Sequence, residues 1–293
     1  MTDSQHQQHL PLSIFFAILA GVSYTLMSLL GKFIGGQTST DTILFVRFAI
    51  SLVLLVPWLI KDPHKKLKVE HPKKLIWRSC FSLLSFGCFF YALKFVSLSN
   101  ALVLNNTFPL FVPLAALVHS NVKTSPKVWL GIIVGFLGVL LIIQPDIHAL
   151  DPYALIALAS GIFAAVAIVM IRYLTKTVST LQILFYYFLI NTIVTAVILP
   201  FQWQSLPSDI LLLLLGVGIF GALYQLFSTL CFAKAPVRVT SPIMSICTVV
   251  SGLIADYFVW QQLPNLLSFL GILCVLVGGT LSIYFGQKEL ATR

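Results

Sequence analysis

Charge is what this chain has least of. Asp, Glu, Lys and Arg make up 9% of its 293 residues, against about a quarter in a soluble domain, too few to dress a water-borne globule. Acid inside apolar sequence is rarer still: Asp256 alone sits well within an apolar run, and no histidine does. Facing aspartate pairs, an HExxH zinc motif and a Ser–His couple are therefore missing, and with them the usual equipment of an intramembrane enzyme. A GxxxxGK[ST] phosphate loop is missing too, which excludes ATP as this chain's own energy source. Cys80, Cys88, Cys231, Cys247 and Cys274 are odd in number and form no CxxC pair, so they read as buried, inert thiols. No metal and no cofactor is expected. The opening MTDSQHQQHLP has neither Lys nor Arg. A signal peptide starts basic and has a shorter apolar core, so the first apolar run is read as a retained helix.

Apolar sequence fills the space that charge leaves. Hydrophobic residues are 58% of the chain, and breaks at Pro, Gly and charge clusters divide them into ten runs: about 12–34, 42–60, 75–95, 98–118, 127–144, 152–174, 180–200, 209–233, 237–259 and 265–285. Runs near 20 residues span a bilayer as helices. The expected fold class is an all-α membrane protein of ten transmembrane helices, and the short connections predict that consecutive helices pack as antiparallel neighbours. A net charge of +9 would suggest nucleic acid in a soluble protein; here the cations crowd into a few short loops and report topology instead. With the amino terminus inside, the inner side receives Lys61, Lys65, Lys66, Lys68, Lys73, Lys74, Arg78, Lys123, Lys127, Arg172, Lys176, Lys234, Arg238, Lys288 and Arg293, which is 15 of the 18 cations. Asp41, Asp146, Asp151 and Asp209 fall outside. Both termini are then cytoplasmic, in a multi-pass protein of the inner membrane whose surroundings are lipid, with no nucleic-acid partner.

The chain also repeats itself at an offset of 140 residues. Lys94 returns as Lys234, Leu130-Gly131-Ile132 as Leu270-Gly271-Ile272, Gly138 as Gly278, Gly21 as Gly161, and Phe45 and Phe48 as Phe185 and Phe188. Five spans per repeat is an odd number, so the second copy enters the membrane from the opposite face. Inverted repeats are a frequent construction of secondary transporters, in which two similar halves exchange conformations around a midplane site. The units predicted are 10–145 and 150–285.

These residues resemble the drug/metabolite transporter superfamily, and within it the EamA-type ten-helix members, over residues 12 to 285. The first repeat carries the pattern in ALKFVSLSNALVLNNTFPLFVPLAAL followed by SPKVWLGIIVGFLGVLLI, and the second in LCFAKAPVRVTSPIMSICTVVSGLIADYFVW and LSFLGILCVLVGG. The family's basic residue of the second helix matches Arg47 in FVRFAISLVLLVPWL. One departure stands out: members place a Gly-Glu pair in the turn after helices four and nine, and the glutamate positions hold Val122 and Gln262 here. A role of that glutamate in relatives does not carry over. The resemblance implies export of amino-acid-like or aromatic compounds, with uptake of S-adenosylmethionine or a nucleoside-like metabolite as the alternative.

Candidate site residues follow from polarity at depth. Asn105, Asn106 and Thr107 sit mid-span beside Pro109, where an unbonded amide costs several kcal/mol. Pro109 also leaves the Asn105 carbonyl without its helical donor. They either line a substrate cavity or clamp helices together. The offset pairs Asn105 with Ser245, so Ser245 and Thr248 on span nine are placed opposite. Tyr224, Gln225 and Ser228 share a helical face by their spacing, and Tyr24, Ser28, Tyr91, Tyr186, Tyr187 and Asn191 can complete a cavity. Asp256 is a candidate for a coupling proton or a plain outer-rim carboxylate. Arg47, near the outer end of span two, is read as snorkelling or gating, and Lys94 and Lys234 as interfacial anchors at opposite faces. The partner expected is a small organic solute; monomer and homodimer both stay open, as does a channel, in which other subunits could supply charge rings.

Overall fold

The computed structural model describes residues 10–60, 72–112, 126–143, 151–175, 177–201, 208–234 and 237–291. Its helices are α1 (Leu10–Ile34), α2 (Thr40–Ile60), α3 (Pro72–Leu93), α4 (Leu98–Asn105), α5 (Pro126–Ile143), α6 (Pro152–Leu174), α7 (Thr180–Ile198), α8 (Ser208–Lys234), α9 (Val237–Trp260) and α10 (Leu266–Ala291). Seven of these are long and apolar enough to cross a membrane, and Lys127–Ile143 and Leu266–Ser282 are shorter apolar helices. The expectations for Lys61, Lys65, Lys66, Lys68, Val122, Lys123, Asp146, Lys176 and Arg293 fall outside the described residues. Phe15, Val53, Leu130, Leu212 and Phe258 turn outward, an apolar exterior that suits lipid and not water. Cys80 is among the outward residues and Cys88, Cys247 and Cys274 are half-buried. The expectation that all five thiols are buried holds only for Cys231, because a helix surrounded by lipid has no reason to hide a weakly polar sulfur.

Local chemistry sets the helix ends. Ser39 accepts the Thr42 N–H at the start of α2, and Ser179, its counterpart in the repeat, accepts the Gln182 N–H at the start of α7. These satisfy backbone donors that the first turn leaves free. Asp151 caps α6 ahead of Pro152. The fourth span is broken: α4 stops at Asn105, a turn follows at Asn106 and Thr107, and helix resumes at 108–112. Pro109 has no N–H to give the Asn105 carbonyl, which is why the break falls there.

The molecule is built of two inverted five-helix repeats. α5 packs against its own counterpart α10, α1 against α8, and α3 against α6; α1–α9 answers α6–α4, and α2–α8 answers α3–α7. Exchanging the repeats returns the same set of pairs, the signature of a pseudo-two-fold axis. Glycines repeat it at atomic scale. A Cβ on Gly21 would stand 2.9 Å from the Met244 carbonyl, and one on Gly161 2.8 Å from the Leu104 carbonyl, and these contacts interconvert at the 140-residue offset. Consecutive helices do touch, as α9 and α10 or α2 and α3 do, but the expectation that they pack as neighbours holds only weakly, because the largest pairings join the two repeats. Short loops tie the ends of α1 to α2 and of α6 to α7, but α1, α3, α5, α6, α8 and α10 each make their largest contact with a helix of the other repeat.

Candidate functional site

At the centre of the bundle, rings and guanidinium groups alternate. Tyr24 of α1 meets Tyr224 of α8 at 4.7 Å between ring centres and Phe89 of α3 at 5.4 Å. The Arg47 guanidinium of α2 lies 3.5 Å from the centre of the Phe86 ring and 5.0 Å from that of Phe48. Phe48 meets Tyr187 of α7 edge-on at 5.5 Å, and the Arg78 guanidinium of α3 covers Tyr187 at 3.9 Å. Arg47 and Tyr187 are the same position in the two repeats, facing one another across the axis. Gly221 makes room for the arginine, since a Cβ there would stand 2.8 Å from Arg47 Nε. Tyr224 keeps some accessible surface, though it sits among interior rings.

Both arginines are buried, Arg47 at 1% and Arg78 at 0% exposure. Arg47 therefore does not snorkel; its stem runs inward to the rings. Arg78 differs more sharply from its sequence reading as an inner-loop cation. Its phase was visible, because Arg78, Ser82 and Ser85 follow one helical face, and that face of α3 is buried. Nη1 and Nη2 of Arg47, and Nε, Nη1 and Nη2 of Arg78, have no hydrogen-bond partner among the described residues. The Tyr187 hydroxyl approaches the Arg47 guanidinium without reaching hydrogen-bond geometry. Cation–π contact with a desolvated ring returns about 2 kcal/mol, whereas stripping water from the ion costs several. A ring also satisfies the face of a guanidinium and leaves its edge donors unmet: the Nη N–H groups of Arg47 and all five N–H groups of Arg78. Arg47 and Arg78 thus stand under-compensated.

The acids lie elsewhere. Asp256 is buried, and its carboxylate accepts the Ser99 N–H at 2.7 Å and the Leu98 N–H at 3.3 Å, while Ser97 Oγ accepts the Asn100 N–H. The carboxylate thereby closes the amino terminus of the half-helix α4, where a negative charge also meets the positive end of the helix dipole. Lys32 donates to the Val96 carbonyl beside it. Lys94 donates to the Thr38 carbonyl at 2.9 Å, in a cleft of about 380 Å³ that it lines with Asp41 and Tyr91. Lys234 ends α8 half-exposed. Among the described residues no three His, Cys, Asp or Glu side chains gather as a metal site requires.

The polar break of the fourth span divides its labour. Asn105 Oδ1 accepts from Tyr24 Oη at 2.9 Å and its Nδ2 donates to Ser160 Oγ at 2.8 Å, joining α1, α4 and α6. Thr107 bonds back to the Leu104 carbonyl at 2.6 Å and Thr248 to the Met244 carbonyl at 2.8 Å. Asn106 and Ser245, with Pro109, Pro242 and Thr280, line a cavity of about 10 Å³, room for about one water and not for a solute. Asn105 thus meets Tyr24, and Asn106 is the residue brought to Ser245. Gln225 and Ser228 are buried, with the Ser228 hydroxyl returned to the Gln225 carbonyl. Of the face predicted on α8, Tyr224 reaches the aromatic centre.

One family model matches this chain twice, over residues 11–144 and 151–284: the EamA-like transporter family. The chain belongs to this family. As an EamA-like protein it is a membrane transporter, similar along most of its length to others. It is 27% identical over 269 residues to the pseudopaline exporter CntI of Pseudomonas aeruginosa, covering 90% of this chain and 93% of the exporter. It is 25% identical to the S-adenosylmethionine uptake transporter of Rickettsia felis, covering 94% and 96%, and 26% identical to the riboflavin transporter of Brucella anthropi, covering 74% and 80%. A crystal structure only 16% identical in sequence superposes with a TM-score of 0.65 over 94% of this chain and 97% of its own, which speaks for the fold alone. Just after α9, Gln261 holds φ 53°, the left-handed region glycine prefers.

Proposed function

We propose that the protein is a secondary carrier moving a small amphipathic organic metabolite by alternating access, with units 10–145 and 150–285 rocking against each other. The observation that carries this reading is the reciprocal pairing of helices. Because exchanging the repeats regenerates the same pairs, two conformations opening to opposite faces are available at similar energy, as inverted repeats allow. The solute is held where the axis passes the rings of Tyr24, Phe86 and Tyr224 and the Arg47 guanidinium. The Asn105, Asn106, Thr107, Ser245 and Thr248 group serves as the hinge beside it, and Asp256 anchors the half-helix. A carrier runs both ways, so kinship to an exporter and to uptake transporters leaves direction to the gradients. In this reading the chain lies in the inner membrane with both termini cytoplasmic.

Counterflow in proteoliposomes tests the carrier. Saturable uptake of a labelled solute, accelerated by unlabelled solute on the far side, is expected; a flux that rises linearly without exchange would mark a channel. Cysteine labelling at Ser4, Lys68 and Thr292 from the cytoplasmic side, and at Gln37, His148 and Gln204 from the outside, tests the orientation. External labelling of Lys68 reverses it.

A further inference from the structure

The most under-compensated groups in the described molecule are the guanidinium edges of Arg47 and Arg78. Among the described residues neither faces a carboxylate: Asp256 is committed to the Leu98 and Ser99 N–H groups, Asp151 to the start of α6 and Asp41 to the Lys94 cleft, and Asp209 is exposed in the first turn of α8. Arg78 covers the Tyr187 ring at 3.9 Å, and Tyr187 meets Phe48, whose ring lies 5.0 Å from the Arg47 guanidinium, so the two charges converge on one region. Tyr24 and Phe86 flank that region with apolar ring surface. A planar guanidinium offers paired donors that match a carboxylate two by two.

We infer that Arg47 and Arg78 form an anion subsite for the carboxylate of the transported solute, whose apolar body lies against Tyr24, Phe86 and Tyr224. This rests on the carrier reading above and sharpens it: the substrate class is an organic acid of net negative charge. A cation gains the rings but meets two fixed positive charges with no acid among the described residues to offset them, so cationic solutes are rejected.

Thermal unfolding of the full chain in nanodiscs tests this, using aryl carboxylates and dicarboxylates, phenylacetate among them, with phenylacetamide and phenethylamine as neutral and cationic matches and chloride and inorganic phosphate as bare anions. Carboxylates should raise the midpoint by mass action, and the amide, amine and bare anions should not. Arg47→Met and Arg78→Met should each weaken carboxylate binding at least about tenfold. The same variants should hold or raise the midpoint of the ligand-free protein, because each removes an unpaired buried charge. A structural arginine does the reverse: the ligand-free midpoint falls and the carboxylate shift stays, which overturns the subsite. No carboxylate-dependent shift, or an equal shift from phenylacetamide, phenethylamine or phosphate, also overturns it. The carrier reading fails separately, on linear flux without counterflow.

Discussion

The contact of α5 with α10 can be broken by a single methyl group. A Cβ added to Gly138 would stand 2.6 Å from the Gly271 carbonyl oxygen and 2.7 Å from Val275 N, while ordinary contact begins near 3.4 Å. The obstacles are backbone, so no rotamer change relieves them, and the helices must part by about 0.8 Å, the difference of 3.4 and 2.6 Å. A gap of roughly 0.5–1 Å forfeits a quarter to a half of each dispersion contact along the seam. Overpacking of this kind costs about 1–3 kcal/mol, and the better helix propensity of alanine returns up to about 1 kcal/mol. Gly138→Ala should therefore destabilise by about 1–2 kcal/mol, lowering the midpoint by about 2–4 °C per kcal/mol. Gly87→Ala is the control. Its nearest heavy atom is Leu44 Cδ1 at 3.9 Å, so the methyl fits and stability should hold or rise. Adding Gly271→Ala to Gly138→Ala should cost less than the sum of the two, because helices already parted have room for the second methyl. Thermal unfolding of the purified protein reads all four variants. Equal stability of Gly138→Ala and Gly87→Ala would refute the backbone contact, and strict additivity would refute its being shared.

The other expectations concern the fourth and ninth spans. Asp256→Ala leaves the Leu98 and Ser99 N–H groups buried and unbonded, at a cost of about 1–3 kcal/mol, while Asp256→Asn should cost less because one acceptor oxygen remains. The pH profile of transport in Asp256→Asn should match the wild type; a displaced profile would assign the carboxylate to proton coupling. Gln261→Gly should stabilise by about 0.5–1 kcal/mol in the same unfolding assay, since φ 53° strains a side-chain-bearing residue and suits glycine.

Span limits were legible because hydropathy and proline mark where a chain enters and leaves lipid, and helices such as Pro152–Leu174 begin and end where expected. The repeat was legible through glycines that have no reason to recur at a fixed offset unless close approaches recur with them, as Gly21 and Gly161 do. Depth and rotation were harder to read. Arg78 lies close enough to a basic loop to pass for a topogenic cation, and only the phase of Ser82 and Ser85 tells against that. Asn105 was recognised as a buried amide, but its bonds to Tyr24 and Ser160 depend on how α1 and α6 flank α4. Loop length misled on neighbours, since a short loop restrains only the two ends it joins.

That choice of neighbours bears on how the protein is made. The principal partner of α1 is α8, and that of α5 is α10, so neither half buries its own inner faces. A ribosome adding roughly 5–20 residues each second leaves the first five helices in the bilayer for some seconds before their partners exist. Through that interval Arg78 lacks the Tyr187 ring and Asn105 lacks the Ser160 hydroxyl. The first repeat alone would leave bare the faces of α1, α3 and α5 that α8, α6 and α10 cover.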